Sequence, residues 1–483
     1  MKSFLSWGPM IGNSMLPIHC CIIILLGLPV TVQSAEKVPL GHTDFVPTAE
    51  CPIGFRGDGT GRFPGATPPM TWDVTKNAGV KWHTPLPGDS ASSVIVVGKK
   101  VFAVGSPHNV YCLDADTGAV LWQQDVDPVS CLAPDEAVKL RQELATLVAD
   151  GKGTASDPKK RNPRIDTLAA KGVVSNDFKY DNFFSLSAPT PASDGQRVYV
   201  QFPAGVLAAY DLDGKRLWMV PAIPSGWSMG NSSPVTYQSK VIAVTGSRGS
   251  PILFGVEATT GKSLWKVKTA GVAHTGSGTP GIISTTEGPK VVSTVYSMHD
   301  IETGKEWFNH DYYNDYGSSP VIDGAKAYFI HGDHGKGTTK RQLVIVDCSV
   351  KGPPVITSYP RTGSPGWSNS ALLFEGRIFI PERGASLPEI MDLSTGKTLV
   401  KPEKGKGLVQ IGKTDGYLTP SPTWSGGHIY HALIDGQVLV LDATIPLKIL
   451  ASNNVAPMSG SPFFQGSRIY FRTRDAVWCI GNE

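Results

Sequence analysis

The sequence has little charge and little cysteine. Charged residues are 18% of its 483 residues, below the roughly 25% of an average soluble protein. The 44 basic and 41 acidic residues nearly balance, so the chain has no broad positive field that would attract nucleic acid. Seven cysteines in a chain of this length are too few to build a disulfide scaffold.

A run of apolar residues long enough to cross a membrane is also missing. The most apolar stretch, Cys20–Val32, has 13 residues, whereas a membrane-spanning helix needs about 20. A lysine precedes it and the small residues Ser34 and Ala35 follow it, which is the pattern of a secretory signal peptide. We therefore predict a signal peptide over residues 1–35, no membrane span, and an exported protein that is periplasmic or extracellular.

Turn-forming residues, in contrast, are abundant. The 53 Gly and 38 Pro make up about a fifth of the chain, a density that would break most helices and so argues against a helical bundle. Hydrophobic residues reach 41%, which is too apolar for a disordered chain. The composition therefore favours a globular protein with many short strands.

A short motif that combines an acidic residue, a Gly turn and a large apolar residue returns along the chain. It reads LDADTGAVLW from Leu113, YDLDGKRLW from Tyr210, GVEATTGKSLW from Gly255, HDIETGKEW from His299 and MDLSTGKTLV from Met391. Self-similarity at a period of 40 to 50 residues is typical of repeat architectures such as propellers.

A second marker, in most copies Ser-Pro or Thr-Pro, opens each repeat. It recurs at eight positions, each followed by short β-rich runs: 94, 191, 234, 280, 320, 371, 422 and 462. Each unit reads as strand, Gly turn, strand, loop, strand, Thr-Gly turn, strand, which is one four-stranded blade. The sequence therefore predicts an all-β fold, an eight-bladed β-propeller of four-stranded blades.

The last repeat lacks its fourth strand, while GVKWHTPL from Gly79 is a strand without a blade. We predict that this N-terminal strand completes the eighth blade, which leaves no open sheet edge. The expected organisation is a Gly/Pro-rich extended lead segment over residues 36–78 and a propeller over residues 79–483. A helical insertion over residues 127–184 separates blades 1 and 2, with a helix predicted from Pro134 to a stop at Gly151.

The tryptophans of the repeats have a structural interpretation. Large flat side chains at a fixed place in each unit are suited to packing between blades, where each buries on the order of 200 Å². We assign this role to the tryptophans at five positions: Trp82, Trp122, Trp218, Trp265 and Trp307.

The motif Asp-x-x-Thr-Gly-Lys-x-x-Trp, approached at Asp114 to Trp122 and at Glu257 to Trp265, resembles the repeat of the PQQ-like (quinoprotein alcohol dehydrogenase-like) propeller superfamily. The resemblance covers residues 79–483. It implies an eight-bladed propeller, and the superfamily includes both pyrroloquinoline quinone (PQQ) dehydrogenases and the noncatalytic, BamB-like proteins of outer-membrane barrel assembly.

Two features of the quinone enzymes are missing from the sequence. The resemblance would imply a disulfide between adjacent cysteines and a calcium ion bound by Glu, Asn and Asp. The only adjacent cysteine pair, Cys20-Cys21, lies in the signal peptide, and no calcium ligand set can be transferred. We therefore expect a noncatalytic binding or scaffold protein, BamB-like in architecture, without an assigned catalytic residue or metal site. A PQQ- and calcium-dependent dehydrogenase acting on an alcohol or a sugar is the alternative.

The connections between blades, and between the second and third strands of each blade, lie on one side of a propeller, here named the funnel face. Their aromatic, Arg, His and Asn residues suit a protein partner or a small-molecule or glycan ligand. We expect a monomeric propeller that binds through nine candidate residues: Trp227, Asn231, Arg248, His274, Tyr316, His331, Trp367, Asn369 and Arg383.

Overall fold

Four-stranded antiparallel sheets follow one another along the chain in the computed structural model. The structure describes residues 37–149, 187–203, 206–221, 232–247, 250–269, 278–294, 296–310, 318–331, 341–363, 369–382, 388–401 and 420–482. The predicted signal peptide lies outside these residues. Val38 and the residues after it belong to one compact unit.

The eight sheets are the eight predicted blades. Two strands come first in the chain: β1 (Arg62–Phe63) and β2 (Val80–Pro85). Blade 1 contains β3 (Ile95–Val97), β4 (Lys100–Gly105), β5 (Asn109–Asp114) and β6 (Val120–Asp125). Blade 2 contains β7 (Ala192–Ser193), β8 (Arg197–Phe202), β9 (Val206–Asp211) and β10 (Arg216–Pro221). Blade 3 contains β11 (Val235–Tyr237), β12 (Lys240–Ser247), β13 (Ser250–Glu257) and β14 (Ser263–Lys268). Blade 4 contains β15 (Gly281–Ile283), β16 (Lys290–Val292), β17 (Met298–Asp300) and β18 (Glu306–Phe308).

The second half of the ring repeats this plan. Blade 5 contains β19 (Val321–Asp323), β20 (Lys326–His331), β21 (Gln342–Asp347) and β22 (Val355–Pro360). Blade 6 contains β23 (Leu372–Phe374), β24 (Arg377–Ile380), β25 (Glu389–Asp392) and β26 (Thr398–Val400). Blade 7 contains β27 (Thr423–Ser425), β28 (His428–Ala432), β29 (Gln437–Asp442) and β30 (Ile449–Asn454). Blade 8 contains β31 (Phe463–Gln465), β32 (Arg468–Arg472) and β33 (Ala476–Gly481).

The prediction that the N-terminal strand closes the ring is confirmed. Strand β2 pairs antiparallel with β33, with Trp82 opposite Cys479 and Thr84 opposite Val477. This pairing gives blade 8 its fourth strand. The eight-bladed all-β fold predicted from the repeats is therefore the observed one.

One α-helix, α1 (Pro134–Ala149), is present in the described part of the chain, and it begins at the residue predicted. A short 3-10 helix, Pro128–Cys131, precedes it and is capped by the Asp127 carboxylate. Ala137 and Leu140 on the predicted apolar face are buried. No helix of the described residues is long and apolar enough to cross a membrane.

Most repeat tryptophans contact the next blade around the ring. The indole N–H of Trp82, for example, donates to the Ala115 carbonyl of blade 1 at 2.9 Å. Its ring lies where a side chain on Gly118 would be, 2.6 Å from an added Cβ. The same donation joins the following blades at three more seams: Trp122 to Leu212, Trp218 to Ala258 and Trp265 to Ile301. Trp307 instead donates to the Glu287 carboxylate of its own blade.

The Ser-Pro and Thr-Pro markers form a ring of hydrogen bonds about the axis. At each linked seam, the marker residue of one blade donates its backbone N–H to the marker hydroxyl of the next. Seven such bonds of 2.8 to 3.2 Å are present: Ser93 to Thr190, Thr190 to Ser233, Ser233 to Thr279, Thr279 to Ser319, Ser370 to Ser421, Ser421 to Ser461, and Ser461 to Ser93. At the seam between blades 5 and 6, the Ser370 hydroxyl is buried without a hydrogen-bond partner among the described residues.

This ring gives a matched pair of variants. We expect Ser421→Ala to lower the free energy of unfolding by about 1 to 2 kcal/mol, because it leaves the buried N–H of Ser370 without an acceptor. Ser370→Ala removes a hydroxyl that has no hydrogen-bond partner among the described residues and should leave stability almost unchanged. Urea denaturation of both variants measures the difference. Equal losses would show that the hydrogen-bond ring does not stabilise the fold.

Candidate functional site

The funnel face is described only in part. Seven of the nine candidate residues predicted on it lie outside the described residues: Trp227, Asn231, Arg248, His274, Tyr316, Trp367 and Arg383. Two lie inside. His331 is the last residue of β20 and is 3% exposed. The Asn369 side chain donates to the Pro420 carbonyl at 3.2 Å, which ties together the ends of two consecutive blade connections.

The lead segment covers part of the face opposite the funnel. The turns between first and second strands lie on this face, and backbone hydrogen bonds join the segment to two of them. The Gly466 N–H of blade 8 donates to Gly41, the Gln238 N–H of blade 3 donates to Ala49, and Thr67 donates back to Gly466. These bonds hold the segment across the end of the propeller axis.

From there the lead segment enters the axis. First strands line the central channel of a propeller, and two of them pair with the segment. Ile53 exchanges both backbone hydrogen bonds with Ser193 of β7, at 3.0 and 2.8 Å. Strand β1 pairs in parallel with β27, which makes blade 7 five-stranded. The Arg62 guanidinium also reaches Asp323 of blade 5 at 2.7 Å. The lead segment therefore plugs the channel.

Arg56 lies at the inner end of this plug and is wholly buried. Its guanidinium donates to the Ala371 carbonyl at 2.8 Å and to the Pro422 carbonyl at 2.7 Å. These residues directly follow ring serines of blades 6 and 7. Burial lowers the Arg56 pKa to about 9, because desolvation disfavours the charged form. A Cβ on Gly61 would lie 2.4 Å from the guanidinium, so this position requires glycine.

A buried charged cluster lies where blade 5 connects to blade 6 on the funnel face. Arg361 pairs with Glu382 through Nη2 and with Glu389 through Nε at 3.1 Å, and all three side chains are at most 1% exposed. Glu389 also accepts hydrogen bonds from the Thr362 N–H and hydroxyl, both at 3.0 Å. The Glu389 carboxylate therefore has both an ion pair and hydrogen bonds.

Glu382 is less well satisfied. Its Oε2 has no hydrogen-bond partner among the described residues. Burial raises the Glu382 pKa to about 8, although Arg361 opposes this shift. Gly363 packs directly against the carboxyl group, since a Cβ there would lie 2.2 Å from the carboxyl carbon. The cluster therefore holds two acids against one guanidinium in a water-excluded place.

The described residues contain no group of three or more His, Cys, Asp or Glu residues that could hold a metal ion. The five cysteines of the described residues are all free thiols. His431, at the funnel end of β28, is half-buried beside Phe379, and desolvation lowers its pKa to about 4.

Sequence reasoning missed Arg56, Arg361, Glu382 and Glu389. Arg56 lies in GFRGDGTG, whose four glycines in eight residues are typical of turns but do not indicate that this segment enters the channel. Glu382 directly precedes the predicted residue Arg383. The only sequence signal for Glu382 was the presence of a carboxyl group in a β-rich run close to a connecting loop.

Comparisons with known proteins identify the repeat. A family model described as outer membrane protein assembly factor BamB matches residues 72–162 and 171–347, more than half of the chain. No curated protein matches the chain significantly.

Solved structures agree with this fold. The crystal structure of BamB from Moraxella catarrhalis is 14% identical with a TM-score of 0.52, covering 84% of this chain and 97% of that one. A europium-containing methanol dehydrogenase is 13% identical with a TM-score of 0.52, covering 88% and 90%. Quinohemoprotein alcohol dehydrogenase from Comamonas testosteroni is 10% identical with a TM-score of 0.51, covering 86% and 78%. At these identities the likeness concerns the fold alone. On the family match, the chain belongs to the BamB-type family of PQQ-like-repeat propellers.

Proposed function

We propose that this protein is an exported, noncatalytic binding or scaffold propeller that holds a protein or a small ligand at its funnel face. The observation that carries the proposal is the family match to BamB. A solved BamB is covered over 97% of its length, so this chain has the extent of a whole propeller of that kind.

The way the buried charged side chains are bonded supports a binding role. Arg56, Arg361, Glu382 and Glu389 are engaged with backbone carbonyls or with one another. The hydrogen bonds that Arg472 makes within the described residues all go to backbone carbonyls. These groups fix blades and the plug. A rigid scaffold with recognition residues on its loops is the usual arrangement of a binding protein.

The experiment places a photoreactive amino acid at Asn369 on the funnel face of the exported chain. A matched control carries the same amino acid at Glu375, an exposed residue in the turn between β23 and β24 on the opposite face of the same blade. Illumination in cells should give a discrete crosslinked product from position 369. Position 375 should give none. Equal products from both positions, or none from either, would contradict recognition at the funnel face.

A second measurement addresses the dehydrogenase alternative. PQQ and calcium are added to the purified chain, and quinone binding is followed by calorimetry together with alcohol- or sugar-dependent dye reduction. We expect neither stoichiometric binding nor turnover. Tight binding with turnover would replace the noncatalytic proposal by a quinoprotein dehydrogenase.

A further inference from the structure

The outermost strand of each blade is an edge strand, and the chain protects several of these edges. One side of such a strand has backbone N–H and C=O groups that its own sheet does not bind. Three outer strands end in a proline, which has no N–H: β2 at Pro85, β10 at Pro221 and β22 at Pro360. On blade 7 the lead segment lies against the outer strand β30, where the Trp72 indole donates to the Asn454 carbonyl at 3.1 Å.

Strand β14, the outer strand of blade 3, has neither kind of protection. It has six residues, which span about 20 Å, and its sequence SLWKVK contains no proline. It pairs on one side with β13, from Ser263 opposite Val256 to Lys268 opposite Ile252. No other strand of the described residues pairs with it. The free side of β14 therefore offers a full-length edge to another chain.

The two faces of β14 differ in chemistry, because successive side chains of a strand point to opposite faces. Trp265 is buried and Val267 is half-buried, and both belong to the apolar cluster between blades 3 and 4. Leu264, Lys266 and Lys268 alternate with them on the other face. All three are exposed, Leu264 by 43%. One face is thus apolar, and the other combines an apolar side chain with two cations.

The positive charges of this edge are not neutralised. Lys240, at the start of the second strand of the same blade, pairs with Glu302 at 2.8 Å. In contrast, the exposed residues Lys262, Lys266 and Lys268 have no acidic side chain of the described residues within ion-pairing distance. A basic strand added at this edge would be repelled, whereas an acidic one would be attracted.

A second copy of this chain has no suitable strand to offer. The described outer strands contain only two acidic residues, Asp125 in β6 and Glu306 in β18. Asp125 is already paired with His108, and β18 has only three residues. An acidic strand long enough for β14 must therefore come from a different protein.

We infer that β14 is a docking edge for an extended segment of another protein in which acidic residues alternate with apolar ones. The segment adds to blade 3 as a fifth strand, with its backbone bonded to the free side of β14. Its acidic residues lie beside Lys266 and Lys268, and its apolar residues beside Trp265 and Val267. Lysines on an edge discourage unselective pairing, and here they also select the charge of the partner. This surface lies on the outer rim and is separate from the funnel face.

The probe is a fluorescein-labelled peptide in which glutamate and valine alternate over eight residues, and its binding to the full chain is measured by fluorescence anisotropy. One control peptide has lysine in place of glutamate. A second keeps the glutamates and valines but is methylated at every backbone nitrogen, so it cannot pair as a strand. We expect the acidic peptide to bind and both controls to bind more weakly by about tenfold or more.

A chain with both Lys266→Glu and Lys268→Glu has the opposite charge at this edge. It should bind the acidic peptide about tenfold more weakly and should bind the lysine peptide instead. Lys397→Glu is the matched control, because Lys397 is an exposed lysine of blade 6, and it should leave binding unchanged. Hydrogen exchange gives a readout without a variant: the amides of residues 263–268 should exchange more slowly when the acidic peptide is bound.

Four outcomes would overturn the inference: the acidic peptide does not bind, the methylated peptide binds equally well, the charge reversal has no effect, or protection from exchange appears outside β14. Phosphatidylglycerol vesicles are tested in parallel. Binding of these vesicles without binding of the peptide would assign the lysines to a membrane surface and would also overturn it. None of these results depends on crosslinking at position 369, so the two proposals stand or fall separately.

Discussion

Arg472→Ala is expected to lower the free energy of unfolding by about 3 to 5 kcal/mol, because it leaves several buried carbonyl groups without donors, each at a cost of about 1 to 3 kcal/mol. The Arg472 side chain is wholly buried at the closing seam of the ring. Its guanidinium donates to four backbone carbonyls. Two are those of Val104 in blade 1 and of Gly88 between β2 and β3, both at 3.1 Å, and the other two are those of Thr473 and Ala476 in blade 8. Alanine would leave these carbonyls without donors in a place that excludes water.

The geometry of the guanidinium, more than its charge, should carry this effect. Burial lowers the Arg472 pKa to about 10, so the charge itself is costly there. Lysine keeps a charge but lacks the planar fork that reaches both blades, and Arg472→Lys should therefore lose most of the same stability.

Arg474 provides the control for this prediction. It lies two residues further along, in the turn after β32, and it is exposed. Urea unfolding of Arg474→Ala should match the unmodified chain within about 0.5 kcal/mol. If Arg472→Ala is equally mild, the closing seam does not depend on the guanidinium, and the pairing of β2 with β33 closes the ring alone.

The propeller could be predicted from sequence because each blade repeats the same local demands. Gly118 and its equivalents allow the tight turn, and the same Gly lets the tryptophan of the neighbouring blade lie against it. The Ser-Pro and Thr-Pro markers predicted where blades begin. Their hydroxyls turn out to link consecutive blades, which explains why the residue before the proline carries one.

The plug could not be predicted in the same way. Residues 36–78 do not repeat, and their partners lie far along the chain: Gly61 meets Trp424, and Arg56 meets Ala371. Contacts of this sequence separation leave no periodic signal in one sequence. The glycines of GFRGDGTG indicated unusual backbone, and Gly57, Gly59 and Gly61 do have positive φ. Nothing in the sequence indicated which channel or face the turn enters.

The buried charged cluster around Arg361 could not be predicted from the sequence for a related reason. The three residues lie in different elements: Arg361 in a blade connection, Glu382 just after β24, and Glu389 at the start of β25. Only the fold brings their side chains into contact. The seam that they occupy, between blades 5 and 6, is also the one where the Ser370 hydroxyl has no hydrogen-bond partner within the described part of the chain. At this seam Tyr359 replaces the repeat tryptophan against Gly396.

This cluster should make stability depend on pH in an unusual direction. Glu382 has a pKa of about 8 in the folded protein, against an ordinary value of 4.5, chiefly because of burial. The folded protein therefore keeps a proton that the unfolded chain releases. The contribution of this group to stability falls as pH rises from about 4.5 to about 8 and is constant above that range.

The groups around Glu382 set the size of the effect. Arg361 and Arg341 favour the ionised form, while Glu389 opposes it. The net shift corresponds to a loss on the order of 5 kcal/mol between pH 4.5 and 8, at 1.36 kcal/mol per pKa unit. Glutamine cannot ionise and resembles the protonated acid in shape.

Glu382→Gln should therefore flatten the decline in unfolding free energy between pH 5 and pH 9 and should make the protein more stable than the unmodified chain at pH 9. Glu375→Gln is the control, because Glu375 lies in the same blade but is exposed, 3.6 Å from Arg377. Its pH profile should follow that of the unmodified chain. Chemical denaturation at five pH values measures all three. A decline that persists unchanged in Glu382→Gln would mean that this carboxyl group is already ionised in the folded protein and that Arg361 compensates both acids.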